Sequence, residues 1–275
     1  MRWEHSRWRV VLPFFVAGLM CATGFCCLSP VRAQAAEQEF YELRIYHIEN
    51  ADKQTLVHDY LQNALLPALL RLSIDRVGIF TRLDPGWMAI GDDTDFSIFM
   101  VIPYSKADDF VSMRAKLASD SEYQKAAAEY FARPLKDPVY QRIESRFMKA
   151  FAGMPVIEMP KQSKNKAPRI FELRLYESHT EDAAARKVDM FNEGEIDLMR
   201  EVEMSPVFYG ETLIGSDVPN LVYMLSADDM ESHQSHWKAF LAHPTWERMK
   251  GMEKYKDTVS KIKNWFLEPT SYSQM

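Results

Sequence analysis

Residues 40–46 read FYELRIY and residues 170–176 read IFELRLY. Both segments alternate with the period of two that a β-strand imposes on its side chains. In the first, Tyr41, Leu43 and Ile45 fall on one face and Glu42, Arg44 and Tyr46 on the other. In the second, Phe171, Leu173 and Leu175 oppose Glu172, Arg174 and Tyr176. One face is core. The other carries the same polar trio in the same order.

The stretches after each strand also repeat. Ala51 to Ile74 places Leu56, Tyr60, Leu61, Ala64, Leu65, Ala68 and Leu69 at helical spacing, with Pro67 as a point of bending. Val77–Leu83 reads as a strand, Asp84-Pro85-Gly86 as a turn, and Phe96–Ile102 as a strongly apolar strand ended by Pro103. Ser105 is the expected cap of a helix over Ala107–Leu117. A further helix runs to Phe131, and Val139–Lys149 is the last strand of this half. The second half gives a strand at Arg169–Glu177, a helix capped by Thr180 or Asp182, strands at Pro206–Ile214 and Leu221–Ser226, a helix after Asp228, another from His243-Pro244, and a strand at Thr258–Leu267.

Each half therefore reads β-α-β-β-α-β, the ferredoxin-like order. A four-stranded sheet of that kind has helices on one face, and its other face needs covering. Two such sheets in one chain can cover each other. The expected fold is α+β: two tandem ferredoxin-like units forming a pseudo-symmetric α/β barrel of the dimeric type within one chain. The expected divisions are a signal peptide at 1–35, a first unit at 36–152, a surface linker at 153–168 rich in Pro and Lys, a second unit at 169–268 and a tail at 269–275. In this arrangement the Glu/Arg/Tyr faces are expected to point into the barrel lumen.

The N-terminus changes the picture of where the protein works. Arg2, Arg7 and Arg9 precede a mostly apolar stretch from Val10 to Leu28, and Ala33-Gln34-Ala35 supplies an A-x-A cleavage site. The protein is expected to be exported, periplasmic or secreted, with no stable membrane insertion after cleavage. All three cysteines, Cys21, Cys26 and Cys27, lie in this leader. The remainder has no disulfide, thiolate nucleophile or cysteine metal ligand. The formal net charge is −6, and loss of a leader holding four Arg and one Glu makes it more negative. No basic run with interleaved aromatics exists outside the leader, so nucleic acid and anionic membrane are poor partners.

Three motifs together carry a family resemblance: FYELRIY with its following helix, the strand–helix junction FMVIPYSKADDF at 99–110, and AFLAHPTW at 239–246. The chain resembles the NIPSNAP family over both halves, from about Glu39 to Leu267. That resemblance implies a ferredoxin-like fold of the dimeric α/β-barrel kind and says little of chemistry. The wider fold group includes monooxygenases, haem-binding and haem-degrading proteins, and dehalogenating or isomerising enzymes. The H-P-x-W motif stands at His243, Pro244 and Trp246. The first half departs from it: in LASDSEY at 117–123, Asp120 and Tyr123 take the places of His243 and Trp246.

The candidate ligand-binding residues are Glu42, Arg44, Tyr46, Glu172, Arg174 and Tyr176. Guanidinium groups in a cavity need carboxylates, either from the neighbouring glutamates or from an anionic ligand. His179, in the loop after the second copy, and His243 are acid–base candidates. His233 and His236 share a helix face, but a metal would need a third ligand in space, such as Glu231 or His243, and no H-E-x-x-H run occurs; no metal is expected, and no cofactor. Trp237 and Trp246 read as outer-helix residues packed on the sheets. Trp87 and Met88, with Phe80, Phe96, Tyr104, Phe208, Tyr209 and Tyr223, either fill the core or line an apolar cavity. No G-x-S-x-G, phosphate loop or dinucleotide fingerprint occurs. Three functions stay open: a binding or structural module of unknown activity with small-molecule recognition in the barrel; a cofactor-independent enzyme of monooxygenase or isomerase type; and a carrier of haem or another hydrophobic ligand. The partner to be expected where the protein binds one is a small hydrophobic or anionic ligand, and a homo-oligomer is compatible with all three.

Overall fold

The computed structural model describes residues 37–83 and 96–275. The expected leader and the Asp84-Pro85-Gly86 turn, with Trp87 and Met88, lie outside the described residues.

Strand β1 (Phe40–His47) leads into helix α1 (Ala51–Tyr60), whose N-cap Asn50 accepts from the Lys53 amide. A π-turn at Leu61–Leu65 joins α1 to α2 (Leu66–Arg71), and Pro67 sits in the first turn of α2, where its missing N–H costs nothing. Strands β2 (Gly78–Arg82) and β3 (Ile98–Tyr104) follow, then α3 (Ala107–Ser119), α4 (Ser121–Ala126), α5 (Ala128–Phe131) and β4 (Arg142–Ala150). The second half runs β5 (Ile170–Glu177), α6 (Glu181–Met190), a π-turn at Phe191–Glu195, α7 (Ile196–Glu201), β6 (Pro206–Ile214), β7 (Asn220–Ala227), α8 (Met230–Ala242), α9 (Pro244–Lys250) and β8 (Lys261–Pro269).

Several boundaries differ from expectation: β4 and β8 each start three residues later than expected, and the β3–α3 junction is shifted. β3 passes through Pro103, which pairs with Tyr41. β2 pairs with β3 only as far as Val101, so Pro103 removes no ladder bond on that side. The N-cap of α3 is Lys106 rather than Ser105, and no side chain caps it.

The strands close into an antiparallel barrel in the order β1-β3-β2-β8-β5-β7-β6-β4. The first four-strand run is β4-β1-β3-β2 and the second is β8-β5-β7-β6. Seams β2–β8 and β4–β6 join them.

The lumen is packed. Tyr41, Leu43 and Ile45 of β1, Phe80, Phe99, Val101, Met148, Phe171, Leu173, Leu175, Phe208, Val222, Met224 and Leu267 form one buried cluster to which every strand contributes. Tyr41 packs against Phe208 at 5.1 Å between ring centroids, and Phe80 against Phe171 at 4.8 Å. A Cβ at Gly210 would lie 2.9 Å from that of Met148, so glycine permits the close approach of β6 to β4. An eight-stranded barrel is about wide enough for its own side chains to fill.

This corrects the expected orientation. Glu42, Arg44 and Tyr46, and Glu172, Arg174 and Tyr176, lie on the outer faces of the strands, beneath the helices. The apolar face faces the lumen instead. The reason is the supply of partners: the lumen cluster is apolar, whereas on the outer side Tyr104 of β3 and His233 and Trp237 of α8 reach a buried charge. Two further clusters lie outside the barrel, one under α1–α4 around Tyr46 and Tyr60, one under α6–α9 around Tyr176 and Phe191.

The expected linker and tail also take part in packing. Ile157 and Met275 belong to the lumen cluster and Met159 packs against it. The Gln274 amide donates to Val77 O and the Thr270 amide to Ile79 O, which holds the 270–275 segment along β2.

Candidate functional site

The two polar trios make different networks. In the first half Arg44 Nε and Nη2 donate to Glu42 Oε1 and Oε2, both at 2.9 Å. Tyr104 Oη donates to Glu42 Oε2 at 3.0 Å and Ser145 Oγ to Oε1 at 2.8 Å. Arg44 Nη1 reaches Tyr46 Oη at 3.4 Å. Burial opposes the charge on Arg44, but the Glu42 carboxylate outweighs it and raises its pKa well above the usual arginine value. Phe110 of α3 closes over this network, stacked on Phe147 at 4.3 Å and edge-on to Tyr104 at 5.7 Å.

In the second half Glu172 is 1% exposed. Its Oε1 accepts from Arg174 Nη1 and from Asn264 Nδ2, the latter at 2.9 Å. Its Oε2 accepts from Trp237 Nε1 at 2.9 Å and lies 3.0 Å from His233 Nε2. Burial alone would raise the Glu172 carboxyl. The His233 contact, the Arg174 charge and the Trp237 N–H together outweigh it and hold the carboxyl at about 2. Arg174 Nε donates to Tyr176 Oη at 3.2 Å, Tyr176 Oη meets Tyr223 Oη at 2.8 Å, and the guanidinium lies 4.6 Å from the Trp237 ring.

This second network opens on a groove of about 700 Å³, lined by Glu172, Arg174, His233, Trp237, Leu241 and Phe266 among others. Its walls are largely apolar, and its floor is the Glu172–Arg174 pair. The registers of the two halves match, so the asymmetry comes from the residues at equivalent positions. Arg44 pairs with Ser145 and Arg174 with Asn264, so these two donors to the glutamates are equivalent. α3 and α8 both start three residues after a strand end and run 13 residues, which aligns Phe110 with His233. The first half closes its network with Tyr104 and Phe110. The second uses His233 and Trp237, one helical turn apart on α8.

Sequence reasoning named the trios but not their helical partners. Trp237 reads as a packing residue and His233 as half of a weak metal pair. The available signal is their i,i+4 spacing on a helix that must cover an outward-facing Glu172.

His179 is exposed in the turn after β5 and makes no side-chain hydrogen bond. His243 caps α9: its Nδ1 accepts from the Thr245 amide at 3.2 Å, and its Nε2 is 3.5 Å from Glu201 Oε1. Asp120 caps α4 in the same way, accepting from the Tyr123 amide at 2.9 Å. The histidine of the H-P-x-W motif and the aspartate that replaces it therefore share one capping task. At one end of the barrel, a cavity of about 530 Å³ is lined by Leu43, Ile45, Phe99 and Trp265, with His47, Glu144, Arg146, Asp217 and Lys263 among its polar residues. Neither arginine of the trios lines it. Among the described residues, no group of three or more His, Cys, Asp or Glu is placed to hold a metal ion, and no helix is long and apolar enough to cross a membrane.

Comparison with known proteins adds the family. Residues 171–274, the span from β5 through β8, match the NIPSNAP family. The first half, expected to share the resemblance, lies outside that match. A putative monooxygenase from Lactobacillus acidophilus has 9% identity and a TM-score of 0.55, covering 85% of this chain and 94% of its own. A putative monooxygenase from Fusobacterium nucleatum has 8% identity and a TM-score of 0.50, covering 85% and 93%. These two share the fold. An uncharacterised NIPSNAP-like domain protein from Burkholderia xenovorans is 24% identical over 38% of this chain and 88% of its own, with a TM-score of 0.35. A comparison with curated proteins finds no match. The likeness to the NIPSNAP family therefore lies in the second half of the chain, residues 171–274.

Proposed function

We propose that the protein binds a small, largely apolar molecule carrying one anionic or strongly polar oxygen, in the groove between the outer face of β5 and β8 and helix α8. The observation that carries this reading is Arg174. Its Nε and Nη1 are used by Tyr176 and Glu172, while no bond engages Nη2, and the residue lines the groove. Trp237, Leu241 and Phe266 supply an apolar wall for the body of the ligand. Arg44 has the same neighbours in sequence, but Glu42 takes two of its nitrogens in a bidentate pair. The recognition site in this reading is outside the barrel rather than in its lumen.

The test uses 1-anilinonaphthalene-8-sulfonate, an aromatic anion whose fluorescence reports binding. Arg174→Gln should weaken it at least tenfold, about 1.4 kcal/mol, and Arg44→Gln should leave it unchanged, with circular dichroism showing both variants folded. Equal binding by wild type and Arg174→Gln ends this reading.

An enzyme without a bound cofactor is the second reading. It is favoured by the imidazole of His233 beside the buried Glu172 carboxylate. The proposal extends to architecture and place. The chain is a tandem pair of ferredoxin-like units, 36–152 and 169–268. Its support is the matched strand orders and the π-turns, which recur 130 positions apart. The leader at 1–35 directs export, and N-terminal sequencing of the mature protein tests it.

A further inference from the structure

Glu172 has no capacity left as a base. A carboxylate offers about four lone-pair sites, and Arg174, Asn264, Trp237 and His233 occupy them. The saturated carboxylate in turn fixes the tautomer of His233. Nε2 lies 3.0 Å from Glu172 Oε2. A lone pair on Nε2 would face an anion, so Nε2 must carry the proton and donate it to the carboxylate. The Trp237 indole N–H, 3.1 Å from Nε2, then shares the same carboxylate oxygen instead of donating to the ring. In this tautomer the imidazole keeps its lone pair on Nδ1, which makes no hydrogen bond among the described residues, and His233 lines the groove. The ring is 5% exposed and held edge-on to Phe266 at 5.3 Å.

We infer that His233 Nδ1 is a proton acceptor for a weakly acidic hydroxyl, a phenol or conjugated enol, bound in this groove. The inference rests on the groove being a ligand site. The proton passes from the ligand O–H to Nδ1. The imidazolium so formed is stabilised by Glu172 on its Nε2 side, the arrangement by which a buried carboxylate orients and supports an imidazole base. The ligand oxyanion keeps the electron pair and is met by Arg174. No oxidant or reductant enters the step. A flat conjugated ring suits the Trp237 and Phe266 walls, and conjugation is what makes such a hydroxyl acidic enough to yield its proton to imidazole. The other charged group lining the groove is Lys238, on the same helix. Its charge also favours the oxyanion, which makes a His233 variant necessary to separate the two effects.

The experiment compares two probes, 4-nitrophenol, which ionises, and 4-nitroanisole, which lacks the hydroxyl. With excess wild-type protein, the ionisation midpoint of 4-nitrophenol, read from phenolate absorbance, should fall by about one pH unit or more. His233→Phe, the residue the first half carries at this position, should lose most of that shift for dye held at saturating protein, leaving only what Arg174 and Lys238 contribute. His233→Asn serves as a second variant should the larger ring unsettle α8. If wild type binds both probes and the midpoint does not move, or the full shift persists in both variants, the proton-acceptor inference is overturned and the groove reading survives. If wild type binds neither probe, the groove reading fails and the inference with it.

Discussion

Glu172→Gln is the sharpest single perturbation of the second-half network. The glutamine keeps one acceptor oxygen and turns the other position into a donor. One pair of donors, Arg174 with Asn264 or Trp237 with His233, then faces an N–H group, and Arg174 loses its counter-charge. Removing one partner of a buried ion pair costs about 3–5 kcal/mol. The lowering of the Glu172 carboxyl from 4.5 to about 2 gives an independent figure of about 3 kcal/mol. The side chain is almost wholly enclosed, so solvent screening removes little of this. The pH dependence follows from the direction of the shift. The folded-state value is below the unfolded one, so the stabilisation is complete above 4.5 and is lost as pH falls toward 2. Urea unfolding of wild type and variant measures it. The gap between them should be about 3–5 kcal/mol above pH 4.5 and should shrink by about 3 kcal/mol as pH approaches 2. Other carboxylates titrate in both proteins and cancel in the difference. A gap that stays constant over that range would refute the claim that the fold holds this carboxylate ionised.

Three further outcomes follow from the geometry. Lys187 and Glu195 form a buried ion pair at 2.6 Å where the first half has Val57 and Leu65. Lys187→Val or Glu195→Leu alone should cost about 3–5 kcal/mol in urea unfolding, and the double variant should lie within about 1 kcal/mol of wild type or above it. His243→Ala should lower stability by about 1 kcal/mol through loss of the α9 cap, with His243→Asp restoring it, because Asp120 does the same work on α4. Leu173→Ala, in the packed lumen, should cost about 2–5 kcal/mol without altering binding of the anilinonaphthalene probe.

The period-two pattern of FYELRIY and IFELRLY marked both strands and sorted their faces correctly. It did not say which face turns inward. In a barrel wrapped by helices both faces are buried, so hydrophobicity alone cannot distinguish lumen from helix side. Tyr41, Leu43 and Ile45 go inward because opposing strands bring them only apolar neighbours. Glu172 goes outward because α8 can supply His233 and Trp237. Those partners were hidden because they lie 61 and 65 residues downstream, and only the β5–β7 and β5–β8 registers bring α8 over Glu172. The π-turn at Leu61–Leu65 was signalled by Pro67, two residues beyond it. Its counterpart at Phe191–Glu195 has no proline and depends on Gly194, whose φ of 142° only glycine adopts easily. The burial of Met275 had no local signal, since a short segment after a final strand carries no periodicity of its own.

The central claim is that the ligand site lies in the groove under α8 of the second half, and not in the lumen or in the first half. Hydrogen–deuterium exchange with and without saturating 1-anilinonaphthalene-8-sulfonate tests it by location. Protection confined to 170–177, 230–242 and 261–269 is the predicted result. Protection over 107–119 and 40–47, or spread evenly over all the strands, would contradict it.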